Sequence, residues 1–152
     1  MSDQLAFCLN KASVTEIATH LMRCDADFVP ALSSRTDISS YAHKIAGNAA
    51  RFEAWADGIL IGLVAAYCND SERRVAYITS VSVLKERQGS GIASRLLEQC
   101  IEHVKDQGFA RVELEVDSQN GGATRLYEKK HFIINRKNGR STIMQLHTGK
   151  DA

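Results

Sequence analysis

Two closely spaced glycines, Gly89 and Gly91, stand between a run that reads as a strand and a run that reads as a helix. Upstream, Tyr77-Ile78-Thr79-Ser80-Val81-Ser82-Val83 is rich in β-branched residues with small polar ones between them. Downstream, Ile92, Leu96, Leu97, Cys100, Ile101 and Val104 recur at helical spacing, with Arg95, Glu98, Glu102 and Lys105 on the other face. A strand, a glycine turn and a helix N-terminus together present unpaired backbone N–H groups at the positive end of a helix dipole. The chemistry of such a junction is anion binding, and phosphate is its natural ligand. Gly89 and Gly91 let the chain turn tightly and let a ligand reach the backbone without meeting a Cβ. A dinucleotide fingerprint would need a third glycine where Ser94 stands, and a Walker loop would need a Gly-Lys-Ser/Thr that this junction lacks.

What does fit is the pattern Gln/Arg-x-x-Gly-x-Gly/Ala, here Gln88-Gly89-Ser90-Gly91-Ile92-Ala93. A second pattern follows downstream, from Leu114-Glu115-Val116 through Asn120, Ala123, Leu126 and Tyr127 to Phe132. Together the two resemble the acetyl-CoA pyrophosphate loop and the later Asn-x-x-Ala-x-x-Leu-Tyr-x-x-x-Gly-Phe motif of the GNAT superfamily of N-acetyltransferases. The resemblance is sharp over about residues 77–132 and faint before that. One marked position departs from the motif: His131 stands where the family has glycine, in a turn that usually needs a left-handed residue.

The resemblance implies a set of roles. Backbone N–H groups of Gln88, Gly89, Ser90, Gly91, Ile92, Ala93 and Ser94 would hold the pyrophosphate of acetyl-CoA. The pantetheine arm would pair along Val81-Ser82-Val83 as a short added strand does, with the amide near Val81 polarising the thioester. Asn120 would hold the same arm, although an asparagine there also suits a helix N-cap. Tyr127 would be the acid: a phenol of pKa near 10 can protonate a thiolate of pKa near 8.5. Helical spacing alone reads Tyr127 as a core tyrosine. Glu115, twelve residues earlier, matches a glutamate used as base by ribosomal-protein N-terminal acetyltransferases, but a glutamate there can also simply face solvent. The strand before the loop carries Tyr77 where some relatives carry a glutamate base. A water chain leading to Tyr67, Asn69 or Asp70 is the competing route for the proton.

These residues need elements to hold them. Leu5 to Leu9 reads as a strand, and Ser13-Val14-Thr15-Glu16 is a capping box opening a helix that ends near Cys24. Residues 25–38 are irregular and contain the one proline, Pro30; Asp25, Asp27 and Arg35 lie in this segment, which is expected to cover the acceptor. Solvated loop charges are the plain reading of all three. A helix over residues 39–48 turns Tyr41 and Ile45 inward. Residues 51–56 and 59–68 form a hairpin about Asp57-Gly58, whose second strand is apolar on both sides and therefore central. The strand at 75–83 and the long helix to Gly108 follow, then a strand over 111–116, a helix over 122–130, and a closing pair at 132–135 and 142–146. His20 and His43 fall in the two helices expected to wall the acceptor site, without a second ligand at metal spacing. No metal is expected. The pattern is α/β (α+β), a sheet flanked by helices, and the resemblance adds the GNAT fold with a mixed, V-splayed central sheet.

A chain of 152 residues suits one domain, 1–152, around a single core. Net charge is +1, so no field favours nucleic acid or an anionic membrane. No apolar run approaches a membrane span, and the N-terminus lacks a signal-peptide pattern. Cys8, Cys24, Cys68 and Cys100 are scattered, with no Cys-x-x-Cys pair, as reduced thiols of a cytoplasmic protein are. The reading is an acetyl-CoA-dependent acetyltransferase. Its acceptor would be a primary amine of a small molecule or amino sugar, attacking directly in a ternary complex. A peptide or protein N-terminus is the alternative acceptor, and a non-catalytic acyl-CoA sensor the alternative class. An exposed edge strand near the C-terminus would be free to pair in a homodimer.

Overall fold

In a computed structural model, which describes residues 5–149, the capping box closes as its spacing requires. The Glu16 amide donates to the Ser13 hydroxyl at 3.1 Å and the Ser13 amide to the Glu16 carboxylate at 2.9 Å. Helix α1 (Val14–Cys24) follows strand β1 (Leu5–Leu9), and short 3-10 turns at Asp25–Asp27 and Leu32–Ser34 punctuate the irregular segment. Helix α2 (Ile38–Asn48) starts earlier than its apolar spacing suggests. Asp37 is its N-cap and accepts from the Ser40 amide at 3.0 Å. Strand β2 (Ala49–Ala56) begins at the next residue, without a linker. The hairpin to β3 (Ile59–Asp70) turns at Asp57 (φ 53°) and Gly58 (φ 77°), both left-handed as a type I′ turn demands.

After β4 (Val75–Val83) come a 3-10 turn at Lys85–Arg87, α3 (Ile92–Asp106), β5 (Arg111–Asp117), α4 (Gly121–Lys129), β6 (Ile133–Asn138) and β7 (Ser141–His147). The sheet order is β1-β2-β3-β4-β5-β7-β6, so β4 rather than β3 stands in the middle. Only the β4–β5 pair is parallel. That pairing joins Val75–Ile78 to Arg111–Leu114 and then ends. Beyond it β4 stays with β3 to Val83, while β5 stays with β7 to Asp117. The two strands part, and this is the V of the sheet. A bulge sits at the fork: Ala65 faces Ser80 and Ala66 faces Ile78, leaving Thr79 as the extra residue on β4.

Both faces of the sheet are covered. On one, Ile92, Leu96, Leu97, Cys100 and Val104 of α3 pack over Phe52, Ala54, Val64, Val112 and Leu114. On the other, Ile17 and Leu21 of α1 and Ala42 and Ile45 of α2 pack over Trp55, Leu63 and Ala65. Gly62 seats the start of α3 on the sheet, because a Cβ there would stand 2.8 Å from Ile92 Cγ2. The turn after α4 keeps the left-handed residue its motif asks for, with His131 at φ 75° in place of glycine. Strand β6 is the sheet edge near the C-terminus, and all six of its residues are exposed. All four cysteines are unpaired; Cys24 and Cys100 are buried, Cys8 and Cys68 half-buried. No helix among the described residues is long and apolar enough to cross a membrane.

Candidate active site

The parting of β4 and β5 opens a cleft of about 760 Å³. Residues Tyr77 to Val81 of β4 line one side and Leu114 to Asp117 of β5 the other. Asn120, Ala123, Leu126 and Tyr127 of α4 close it from one end, and Asp27 to Pro30, Arg35 and residues Ser40, Tyr41 and Lys44 of α2 cover it. Two strands separated in this way keep the backbone edges that face each other without a neighbouring strand. An extended ligand with amide groups can use such an edge.

Tyr127, Glu115, Asn120 and Val81 line this one cavity. Tyr127 is 7 % exposed, its ring lies 6.0 Å from that of Phe132, and nothing among the described residues hydrogen-bonds its hydroxyl. Burial pushes its phenol up to about 12. Glu115 is exposed on β5 and accepts a hydrogen bond from the Ser141 hydroxyl of β7. Asn120 is the N-cap of α4: its Oδ1 accepts from the Ala123 amide at 3.3 Å, which leaves the amide nitrogen of the side chain for another partner.

A smaller hollow of about 110 Å³ adjoins the cleft, sharing Asp27, Phe28 and Val81 with it. Ser82, Val83 and Gln88 line it, together with Cys24. Gln88 leads into the glycine loop and holds it by donating from Nε2 to the Val83 carbonyl at 3.1 Å. Gly89 (φ 84°) and Gly91 (φ 83°) are both left-handed, and a Cβ on either would meet nothing within 4 Å, so the loop is open on its outer side. Gly91 is the N-cap of α3, and no side chain satisfies the first amides of the helix. Ser90 ties the turn by donating its hydroxyl to the Arg87 carbonyl at 2.6 Å. Ile92 is buried and Ala93 and Ser94 are half-buried, so this stretch offers its backbone rather than its side chains. The residues present fit a pyrophosphate.

Other expectations move. His20 does not wall the cleft. It is buried under β4, where Nδ1–H donates to the Leu60 carbonyl at 2.9 Å and Nε2 accepts from the Ser82 hydroxyl at 2.9 Å. Burial lowers its pKa to about 4. His43 is exposed and bonds the Ser39 carbonyl at 2.9 Å within its own helix. Tyr67, Asn69 and Asp70 are not part of the cleft lining. Sequence reasoning gave no role to Ser80 or Ser141, small polar residues on strands that carry no signal of their own. Among the described residues no group of His, Cys, Asp or Glu is placed to hold a metal ion.

Residues 15–132 match the Acetyltransferase (GNAT) family. The chain is 32% identical over 83 residues to the N-alpha-acetyltransferase MAK3 of Arabidopsis thaliana, a match covering 54% of this chain and 44% of that one. It spans less than half the length of the curated relatives it matches. Among solved structures, the ribosomal-protein-S18-alanine N-acetyltransferase of Escherichia coli superposes with a TM-score of 0.72 at 18% identity, covering 94% of each chain. The PaiA N-acetyltransferase of Thermoplasma acidophilum, solved in complex with coenzyme A, superposes with a TM-score of 0.71 at 18% identity, covering 93% of this chain and 99% of that one. Acetyl-CoA is the co-substrate of the family. The chain is a member of the GNAT acetyltransferase family.

Proposed function

We propose that this protein transfers the acetyl group of acetyl-CoA to a primary amine of a small molecule or amino sugar, by direct attack in a ternary complex. One observation carries the reading: Tyr127 and Glu115 face a single cleft that opens where β4 and β5 part, a short way along β4 from an uncapped helix N-terminus. Acetyl-CoA supplies the activated thioester. The backbone from Gln88 to Ser94 grips its pyrophosphate, the free edge of Val81 to Val83 receives the pantetheine amides, and Asn120 steadies the arm. The backbone amide near Val81 polarises the carbonyl. Glu115, exposed and ionisable, takes the proton of the attacking amine.

Tyr127 holds the proton for the departing thiolate. At about 12 its phenol stays protonated throughout the physiological range. The burial that raises it would also raise a thiolate placed beside it, so the water values of the two groups overstate the uphill step. No cysteine lies in the matched catalytic motif, which leaves no basis for a covalent acetyl-enzyme. The 32% identity to an N-alpha-acetyltransferase favours a second reading, in which the amine is a polypeptide N-terminus.

A thermal-shift titration with acetyl-CoA, CoA and NAD tests the cofactor reading, since a ligand of the folded state alone raises apparent stability. Both CoA species should raise Tm and NAD should not. No shift with either CoA would overturn the reading. Thiol release with an amine library then separates the enzyme from a silent acyl-CoA sensor, because Tyr127→Phe should lower kcat about 10²-fold while CoA binding persists.

A further inference from the structure

The charges lining the larger cleft are not all neutralised within the protein. Asp117 is paired with Arg140 at 3.2 Å, Asp27 accepts from the Gln88 amide at 3.3 Å, and Lys44 lies over the Tyr67 ring at 5.4 Å. That leaves Asp27, Lys44, Glu115 and Arg35 without an ion pair among the described residues. Glu115 has only the Ser141 hydroxyl, and Arg35 has no ion pair or hydrogen bond to another side chain among the described residues. Both line the cleft, Glu115 from β5 and Arg35 from the end of the covering segment. They do not pair with each other, so more than a salt-bridge length separates them. Burial above all raises the phenol of Tyr77, which lines the same cleft; of the nearby charges Glu115 adds to that rise and Arg35 opposes it. Arg35 also acts on Tyr41, whose hydroxyl is tied to Thr79 at the bulge. Tyr41 and Tyr77 are the aromatic residues that line the cleft with these charges, beside Phe28 and Tyr127. Ser80 is 4 % exposed, and its hydroxyl has no partner although it lines the cleft. A buried hydroxyl left unsatisfied by its own chain marks a place for a polar ligand.

We infer that the acceptor is a small amine that also carries an anionic group, a carboxylate or a phosphate, held by Arg35 while its amine meets Glu115. This rests on the acetyltransferase reading above and narrows its substrate class. A guanidinium fork matches both anions and supplies two parallel charge-assisted bonds to either. The Glu115 carboxylate receives the ammonium that must lose its proton before attack. An acceptor with a positive charge at each end would set one of them against Arg35. A neutral amine would leave the guanidinium without a partner in the complex.

Matched pairs test this: tyrosine against tyramine for a carboxylate, and glucosamine 6-phosphate against glucosamine for a phosphate. Binding to CoA-saturated protein and acetyl transfer are both read. The anionic member of at least one pair should bind and turn over with a KM about 10-fold or more below that of its neutral partner, and the pair that responds identifies the anion. Arg35→Gln should remove that difference chiefly through KM, and Arg35→Lys should restore part of it. Arg35 is exposed, so melting curves of these variants should overlay that of the parent. Neutral amines equal to or better than their anionic partners would overturn the inference, as would an equal loss for both members in Arg35→Gln, or preference for a polypeptide N-terminus over every small amine. In any of those cases the CoA shift persists. Absence of that shift would instead remove the acetyltransferase reading, and this inference with it.

Discussion

Burial separates Tyr127 from the surface phenols of the chain, and it acts on the proton that the proposed chemistry needs. With its pKa pushed to about 12, Tyr127 stays a phenol well beyond the pH at which an exposed tyrosine ionises. The kcat–pH profile should therefore show no alkaline fall near 10 from this residue. Tyr127→Phe should cost about 10²-fold in kcat but leave Tm nearly unmoved, since no group among the described residues bonds the hydroxyl. A Tm loss comparable to a core deletion would show that the ring's role is structural. His20 makes the opposite case, a titratable group held neutral. Its pKa falls from an ordinary 6.5 to about 4 because burial disfavours the imidazolium. The unfolded chain binds the proton more readily, so the stability from neutral His20 is complete above pH 6.5 and drains away as pH falls toward 4. That shift is worth roughly 3 kcal/mol. Urea midpoints between pH 7 and 4 should drop accordingly, and His20→Gln should flatten that slope; an equally steep slope in the variant would refute the assignment. Nothing in the spacing of α1 announced this. His20 reads as one polar residue on a helix until β4 brings Ser82 to its ring.

At the scale of elements, two kinds of glycine behave differently. Gly89 and Gly91 are legible, because a strand-to-helix turn makes a local demand for left-handed backbone and their neighbours display it. Gly62 is not. It sits in an apolar run where nothing local calls for glycine, and its reason is the close approach of α3, which begins thirty residues later. Gly62→Val should force Ile92 and the first turn of α3 off the sheet, costing about 1–3 kcal/mol. If the same turn offers its amides to the pyrophosphate as proposed, CoA affinity should fall as well, as a titration followed by thermal shift would show. Unchanged CoA affinity would separate the seat of the helix from its anion site. His131 adds a related lesson. Its departure from the family motif puts the turn after α4 in question, yet the chain takes up the left-handed conformation with histidine at φ 75°. The fold overrides that residue's preference.

At the scale of the whole molecule, one event makes the site: β4 and β5 run together for four residues and then part. Val81, Glu115, Asn120 and Tyr127 collect around that fork. If the fork and loop hold CoA as proposed, ligand at about 100 times Kd should add about 2.7 kcal/mol to apparent stability, a Tm rise of about 6–10 °C for a domain of this size. A rise of equal size with NAD would show that the loop grips any pyrophosphate and that the strand edge contributes nothing. The sequence by itself determined what depends on near neighbours: the capping box at Ser13, the Asp57-Gly58 turn, the amphipathic α3, the glycine loop, and the motif from Glu115 to Tyr127. Periodicity and left-handed turns are local demands, and they can be read in order along the chain. Only the tertiary structure decided which strand is the middle one, where the sheet opens, that His20 props Ser82 rather than lining the cleft, and that Arg35 and Glu115 line the same cleft. Those outcomes depend on residues tens of positions apart meeting across a sheet, and no window of the sequence contains both sides of such a contact.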